Sequence, residues 1–123
     1  MKRDPRVYLD DILDAMNKAE MFVAGMSYEQ FENDLRTHYA VTRALEIVGE
    51  ATRRLADSFR EQYPDVPWRD MAGMRDRIIH GYDNVKLRIV WDVVKQDIPQ
   101  VRPLIEQILT DLEDQSSTGP GTA

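Results

Sequence analysis

Residues 35–59 read LRTHYAVTRALEIVGEATRRLADSF, and the spacing of the apolar members decides the fold class. Leu35, Tyr39, Thr42, Leu45, Val48, Thr52, Leu55 and Phe59 step by three or four, the signature of one face of an α-helix. Val41, Ala44, Ile47 and Ala51 widen that stripe until much of the circumference is apolar or small. A helix apolar on two sides has two things to pack against: the core of a bundle, and a second subunit.

Upstream, Asp4-Pro5 is a helix start, with Asp as N-cap and Pro at the first helical position. Val7, Ile12, Met16, Ala19 and Val23 then keep the helical period, so a helix is expected from Pro5 to Ala24, stopped by Gly25. Ser27 followed by Gln30 reads as a capping box opening a short turn. Downstream, Pro64-Asp65-Val66-Pro67 breaks the long helix and Pro67-Trp68 opens another, carrying Met71, Met74, Ile78 and Ile79 and stopping at Gly81. Asp83-Asn84 is a turn. A last helical region runs from Lys86 through Val90, Val94, Ile98, Val101, Ile105 and Leu112, with Pro99 and Pro103 bending or interrupting it. No segment reads as a strand, and there is neither an internal repeat nor a glycine-rich phosphate loop. The expectation is an all-α protein, an antiparallel up-and-down bundle of four to five helices in one domain over residues 1–113, with a disordered tail over 114–123.

With 123 residues and no cysteine, the chain excludes a disulfide framework, a thiolate nucleophile and cysteine-type zinc sites. Met1 leads directly into charged residues and no stretch approaches the ~20 apolar residues that span a bilayer, so a cytoplasmic protein without membrane contact is expected. The net charge of −6 argues at first against nucleic acid. Charge counted locally says otherwise: residues 67–90 hold five cations and three anions, a balance of +2 that leaves −8 elsewhere. A positive island on an acidic body suits a local phosphate site rather than a long nucleic-acid track.

Two histidines exist. His38 lies early in the long helix among residues of mixed polarity and reads as structural or exposed. His80 sits five positions after Arg75, precedes a helix-stopping glycine, and is followed by Tyr82. On an ideal helix Arg75 and His80 would be about 140° apart and Asp76 and His80 about 40° apart, which would let Asp76 orient the imidazole. Metal-free cleavage of RNA needs a base for the 2′-hydroxyl, an acid for the departing 5′-oxygen and a cation for the phosphate oxygens, the residue types that His80 and Arg75 supply. One such histidine per chain cannot easily serve as both base and acid, whereas two chains about a two-fold axis could contribute one each. From spacing alone the blander reading, surface charges followed by a histidine near a helix end, is favoured. Glu46 and Glu50, four apart on one helix face, read as ion-pairing or cleft-supporting carboxylates rather than metal ligands, with Arg43, Arg53 and Arg54 close in sequence.

A wider pattern adds specificity. Arg75-Asp76-Arg77-Ile78-Ile79-His80-Gly81-Tyr82 resembles the Arg-x4-His-x-Tyr motif of HepT-like toxins in the HEPN superfamily. Residues 44–51, 64–75, 90–94 and 97–99 resemble the segments that surround that motif, and the likeness runs over residues 5–110. The resemblance implies a HEPN-like homodimer whose two motifs face a shared cleft, and a metal-independent endoribonuclease that needs no cofactor. It places Arg75 and His80 as catalytic residues and Asp76 and Tyr82 in support, with Asp76 standing where many relatives carry Asn. It further implies a type VII toxin–antitoxin pair, in which a nucleotidyltransferase antitoxin of the MntA-like kind adds AMP to Tyr82, an anionic group that would compete for Arg75. The alternative is a non-catalytic helical module that docks a nucleotidyltransferase partner.

Overall fold

The structure is a computed structural model and describes residues 3–81 and 84–117. Asp4 caps α1 (Pro5–Val23), its carboxylate accepting the Arg6 backbone N–H at 2.9 Å. The helix buries Leu9, Ile12, Ala15, Met16, Ala19 and Val23. Gly25, at φ +78°, turns the chain where a side chain would be strained. The Ser27–Gln30 capping box then forms in both directions and opens α2 (Tyr28–Glu32), which drives Phe31 fully into the core.

Asp34 caps α3 (Leu35–Arg54) through the Thr37 N–H at 3.1 Å. Periodicity alone carried this helix on to Phe59; instead it stops at Arg54, Leu55 turns extended, and a one-turn α4 (Asp57–Arg60) follows. The break lets both Leu55 and Phe59 turn inward to burial. Arg53 and Arg54 in the last turn favour the stop, because cations stabilise the negative end of a helix.

The helix expected from Pro67 to Gly81 is divided. α5 (Trp68–Ala72) and α6 (Met74–Ile78) meet at Gly73, and the chain then leaves helical geometry. Ile79–His80 form β1, antiparallel to β2 (Asn84–Val85), with Ile79 opposite Val85 and His80 opposite Asn84. The Lys86 N–H closes the hairpin onto the Ile78 carbonyl at 2.7 Å. This corrects the expectation that the chain has no strand. The β-branched Ile79 and Val85 face each other in the ladder and Gly81, at φ +76°, follows β1, but two-residue strands are too short for a legible alternation.

From Leu87 the backbone stays helical to Ser117: α7 (Leu87–Asp92), a π turn (Val93–Asp97) and α8 (Ile98–Ser117). Pro99 does not interrupt this run. The π turn shifts the hydrogen-bond ladder just ahead of it, while Pro103 is accommodated inside α8. α8 passes the boundary at residue 113 read from the sequence, and residues 118–123 of the expected tail lie outside the described residues.

Four helical runs thus make an all-α bundle: α1, α3, α5–α6 and α7–α8, with α2 and α4 as connecting turns. α1 lies along α3 and also touches α8, while α5 and α6 pack on α3. Leu9, Ile12, Leu45, Val48, Ile78, Val93 and Ile105 form the centre of a single apolar core. Arg102 ties α8 to α1 through Asn17 at 3.2 Å and through Glu20. Among the described residues no helix is long and apolar enough to cross a membrane.

Candidate active site

The site begins with a glycine in mid-helix. A Cβ on Gly49 of α3 would lie 3.1 Å from the Met71 carbonyl oxygen and 3.3 Å from Met74 Cβ, so glycine lets α5 and α6 lie directly on α3. Arg53 reinforces the approach by donating from Nε to the Ala72 carbonyl at 2.8 Å. With Met74 buried in that contact, its neighbour Arg75 emerges at the surface beside α3.

Arg75 is held there. Its Nη1 donates to Glu46 Oε2 at 2.7 Å, with the arginine side chain 61% exposed and the glutamate only 18%. Glu50, one turn on, pairs with Arg43 at 3.2 Å. Both glutamates are therefore ion-paired, and among the described residues no group of three acidic, histidine or cysteine side chains is placed to hold a metal.

His80 is exposed on β1, opposite Asn84. Since it lies beyond the end of α6, the helical angles relating it to Arg75 and Asp76 do not apply. Asp76 is exposed and makes no side-chain hydrogen bond or ion pair with a described residue, so the orienting contact to the imidazole that helical spacing suggested is not made. Arg75 and His80 are separated by one helical turn and one strand residue on adjoining elements, each open to solvent, without a direct bond between them. Tyr82 lies outside the described residues.

His38 has the structural role read from its surroundings. It is half-buried, with its ring against Phe31 at a centroid distance of 5.1 Å and Nε2 2.6 Å from the Phe31 carbonyl oxygen. A carbonyl can only accept, so Nε2 is the donor in this contact. Unforeseen from sequence is that His38 and Arg75 line the same hollow, together with Thr42 and Glu46. The Glu46–Arg75 pairing was also missed. Its available signal was Gly49 inside an otherwise strong helical pattern, since such a glycine often marks a close backbone approach.

Chemically the surface offers an exposed guanidinium, fixed on one side and open on the other, which suits a phosphate diester. It also offers an exposed imidazole on the two-strand ladder, the side-chain type most used as a general acid or base.

Comparison with known proteins converges on one family. Residues 12–108 match the family model described as Ribonuclease HepT-like. A Thermococcus cleftensis protein named "Probable ribonuclease HepT" is 43% identical over 88% of this chain and 98% of its own length. A Methanocaldococcus jannaschii protein named "Putative RNase" is 41% identical over 93% of this chain and 98% of its own. A relative from Caldanaerobacter subterraneus with the same kind of name is 40% identical over 87% and 96%. No solved structure matches the chain. The match spans the bundle, both faces of the α3–α6 contact and the Arg75–His80 segment, and the chain belongs to the Ribonuclease HepT-like family.

Proposed function

We propose that the protein is a metal-independent endoribonuclease, the toxin of a toxin–antitoxin pair, acting as a homodimer. The observation that carries this reading is the exposed Arg75 guanidinium, tethered by Glu46 on one side and open on the other, one short element away from an exposed His80. Ribonuclease names on relatives about 40% identical over most of the chain support the substrate class.

In the proposed reaction Arg75 grips the nonbridging oxygens of a phosphodiester and stabilises the charge that builds on them. The His80 imidazole takes the proton from the 2′-hydroxyl, whose oxygen forms a bond to phosphorus. The bond from phosphorus to the 5′-oxygen breaks, and an imidazolium protonates that oxygen as it leaves. The products are a 2′,3′-cyclic phosphate and a free 5′-hydroxyl. Base and acid are needed at opposite ends of the same phosphorus, and the single exposed histidine of each chain makes a second copy, with its own His80, the economical source of the other. A nucleotidyltransferase antitoxin that adds AMP to Tyr82, two positions from His80 in sequence, would add an anionic group that competes with RNA for Arg75.

The test uses purified dimer and a labelled RNA. Cleavage in the presence of EDTA, with cyclic-phosphate ends, is expected from the wild type. It should be lost in His80→Ala and in Arg75→Ala with the helical circular dichroism unchanged. Persistent cleavage by His80→Ala overturns the chemistry, and tight binding of a nucleotidyltransferase without any RNA turnover would instead mark a docking module.

A further inference from the structure

A hollow of about 450 Å³ opens beside Arg75, between α3 and the hairpin. It is about three times the roughly 150 Å³ that accommodates a benzene ring in an engineered cavity. Its walls are Leu35 and Tyr39 on one side and Ile79, Val85 and Leu87 on the other. Tyr39 is 73% exposed and Leu35 67%, an unusual outlay of apolar surface next to a charged site.

Two polar groups in this hollow lack partners among the described residues. Thr42 is 7% exposed, and its Oγ1 is buried without a hydrogen bond. A helical threonine ordinarily satisfies itself by bonding back one turn, as Thr52 Oγ1 does to the Val48 carbonyl at 2.7 Å. Thr42 forgoes that bond. Glu46 commits Oε2 to Arg75, while its Oε1 makes no hydrogen bond with a described residue. The Thr42 hydroxyl is sealed from solvent, whereas the uncommitted Glu46 oxygen can accept from a ligand in the hollow.

We propose that this hollow is a nucleobase subsite, in which one unstacked base of the RNA, adjacent to the phosphate held by Arg75, lies against Tyr39. The inference rests on the ribonuclease reading and names where that substrate's base goes. Tyr39 supplies a π-face that any base can stack on, which is how single-stranded nucleic acid is commonly held. Glu46 Oε1 accepts only, so it favours bases that present an amine edge (guanine, adenine or cytosine) over uracil, whose single ring N–H lies between two carbonyl oxygens. A second copy of the chain fits the hollow less well. An apolar seam closing over it would bury the free Glu46 oxygen without a partner, whereas a base brings one.

The experiment measures binding of uncleavable 2′-O-methyl tetranucleotides, identical except for one central base, by fluorescence anisotropy on the full chain. Sedimentation and cleavage of unmodified RNA are followed in parallel. Tetranucleotides centred on guanine, adenine or cytosine should bind more tightly than the uracil one. Tyr39→Ala should weaken binding roughly 5- to 150-fold, the range of one lost base-stacking contact, and Tyr39→Trp should restore it. Glu46→Gln, whose amide can present a donor as well as an acceptor, should narrow the discrimination against uracil. Equal affinity for all four bases, wild-type binding by Tyr39→Ala, or a change of its sedimentation that marks the face as a seam between copies would each overturn the subsite. A wild-type chain that binds with base preference and leaves unmodified RNA intact would overturn the ribonuclease reading and keep the subsite.

Discussion

Arg75 reaches from α6 to α3 and sets Nη1 2.7 Å from Oε2 of Glu46, a residue 29 positions earlier in the chain. The two side chains differ in exposure, 61% against 18%, so the carboxylate is the fixed member and the guanidinium the group being steered. A pair this open to solvent contributes about 0–1 kcal/mol to stability. Its greater effect is on orientation. An arginine side chain that would otherwise sample many rotamers keeps one edge on Glu46 and the other free for a bidentate grip on phosphate.

Glu46→Ala should therefore lower kcat for RNA cleavage by roughly 10- to 100-fold, the range associated with misplacing a group by about 1 Å. The melting temperature should move by only a few degrees. Glu46→Gln, which keeps an acceptor at the same place, should recover part of the loss. Kinetics on the single and double variants decide the matter, because Glu46→Ala in an Arg75→Ala background should cost nothing further if Glu46 acts through Arg75.

Phe31 ties the hollow to the core. It is fully buried, its ring lies 5.3 Å from that of Trp91 and 5.1 Å from His38, and its carbonyl accepts from His38 Nε2. Phe31→Ala should cost about 3–5 kcal/mol through lost burial and the cavity left behind. In a domain of this size that corresponds to a fall in melting temperature of roughly ten degrees or more. Calorimetry would measure it, and a variant that melts within two degrees of wild type would show that α2 is not part of the cooperative core.

The start of α1 should respond to acid. A side-chain hydrogen bond from Arg6, together with the backbone N–H of the same residue, holds the Asp4 carboxyl below its ordinary value of 3.8. A carboxyl lowered in the folded state adds stability that is fully present above the unfolded value and is lost as pH falls through the folded one. Asn is as good an N-cap as Asp, so Asp4→Asn removes the charge while leaving the cap. Wild type should melt above Asp4→Asn at pH 6, and the difference should shrink once pH drops below about 3.8. Melting curves at pH 6, 4 and 2.5 test this; a gap unchanged at the lowest pH would show that the carboxylate charge is not its source.

How far the sequence specified this arrangement differs from element to element. α1, the Ser27 capping box and the body of α3 were legible because capping chemistry and a 3.6-residue period are local properties. The stop at Arg54 was not, since it depends on where Leu55 and Phe59 find the core. The hairpin at Ile79–His80 escaped for a different reason: its strands are two residues long, and what holds them is a pairing across a turn rather than a pattern within a segment. The identity of Arg75 and His80 as candidate site residues came from the resemblance, while the partner of Arg75 came only from the fold. Glu46 lies on the same helix as Gly49, but nothing in their spacing says that α6 crosses at that point.

That crossing yields the last prediction. Gly49 is the position where α3 offers bare backbone to α5 and α6, and the two atoms that a Cβ there would meet first are the Met71 carbonyl oxygen and Met74 Cβ, at 3.1 and 3.3 Å. Alanine would gain helix propensity, about 1 kcal/mol, against the few tenths of an ångström that the neighbours must yield, so Gly49→Ala should change stability little. Valine adds two methyl groups to a contact with no room and should destabilise by roughly 1–3 kcal/mol. Because Met74 immediately precedes Arg75, any outward shift of α6 draws the guanidinium away from Glu46. Gly49→Val should therefore lose cleavage well beyond its loss of folded protein, measured at a temperature where circular dichroism shows the bundle intact. Full activity in folded Gly49→Val would mean that the spacing between α3 and α6 does not set the position of Arg75.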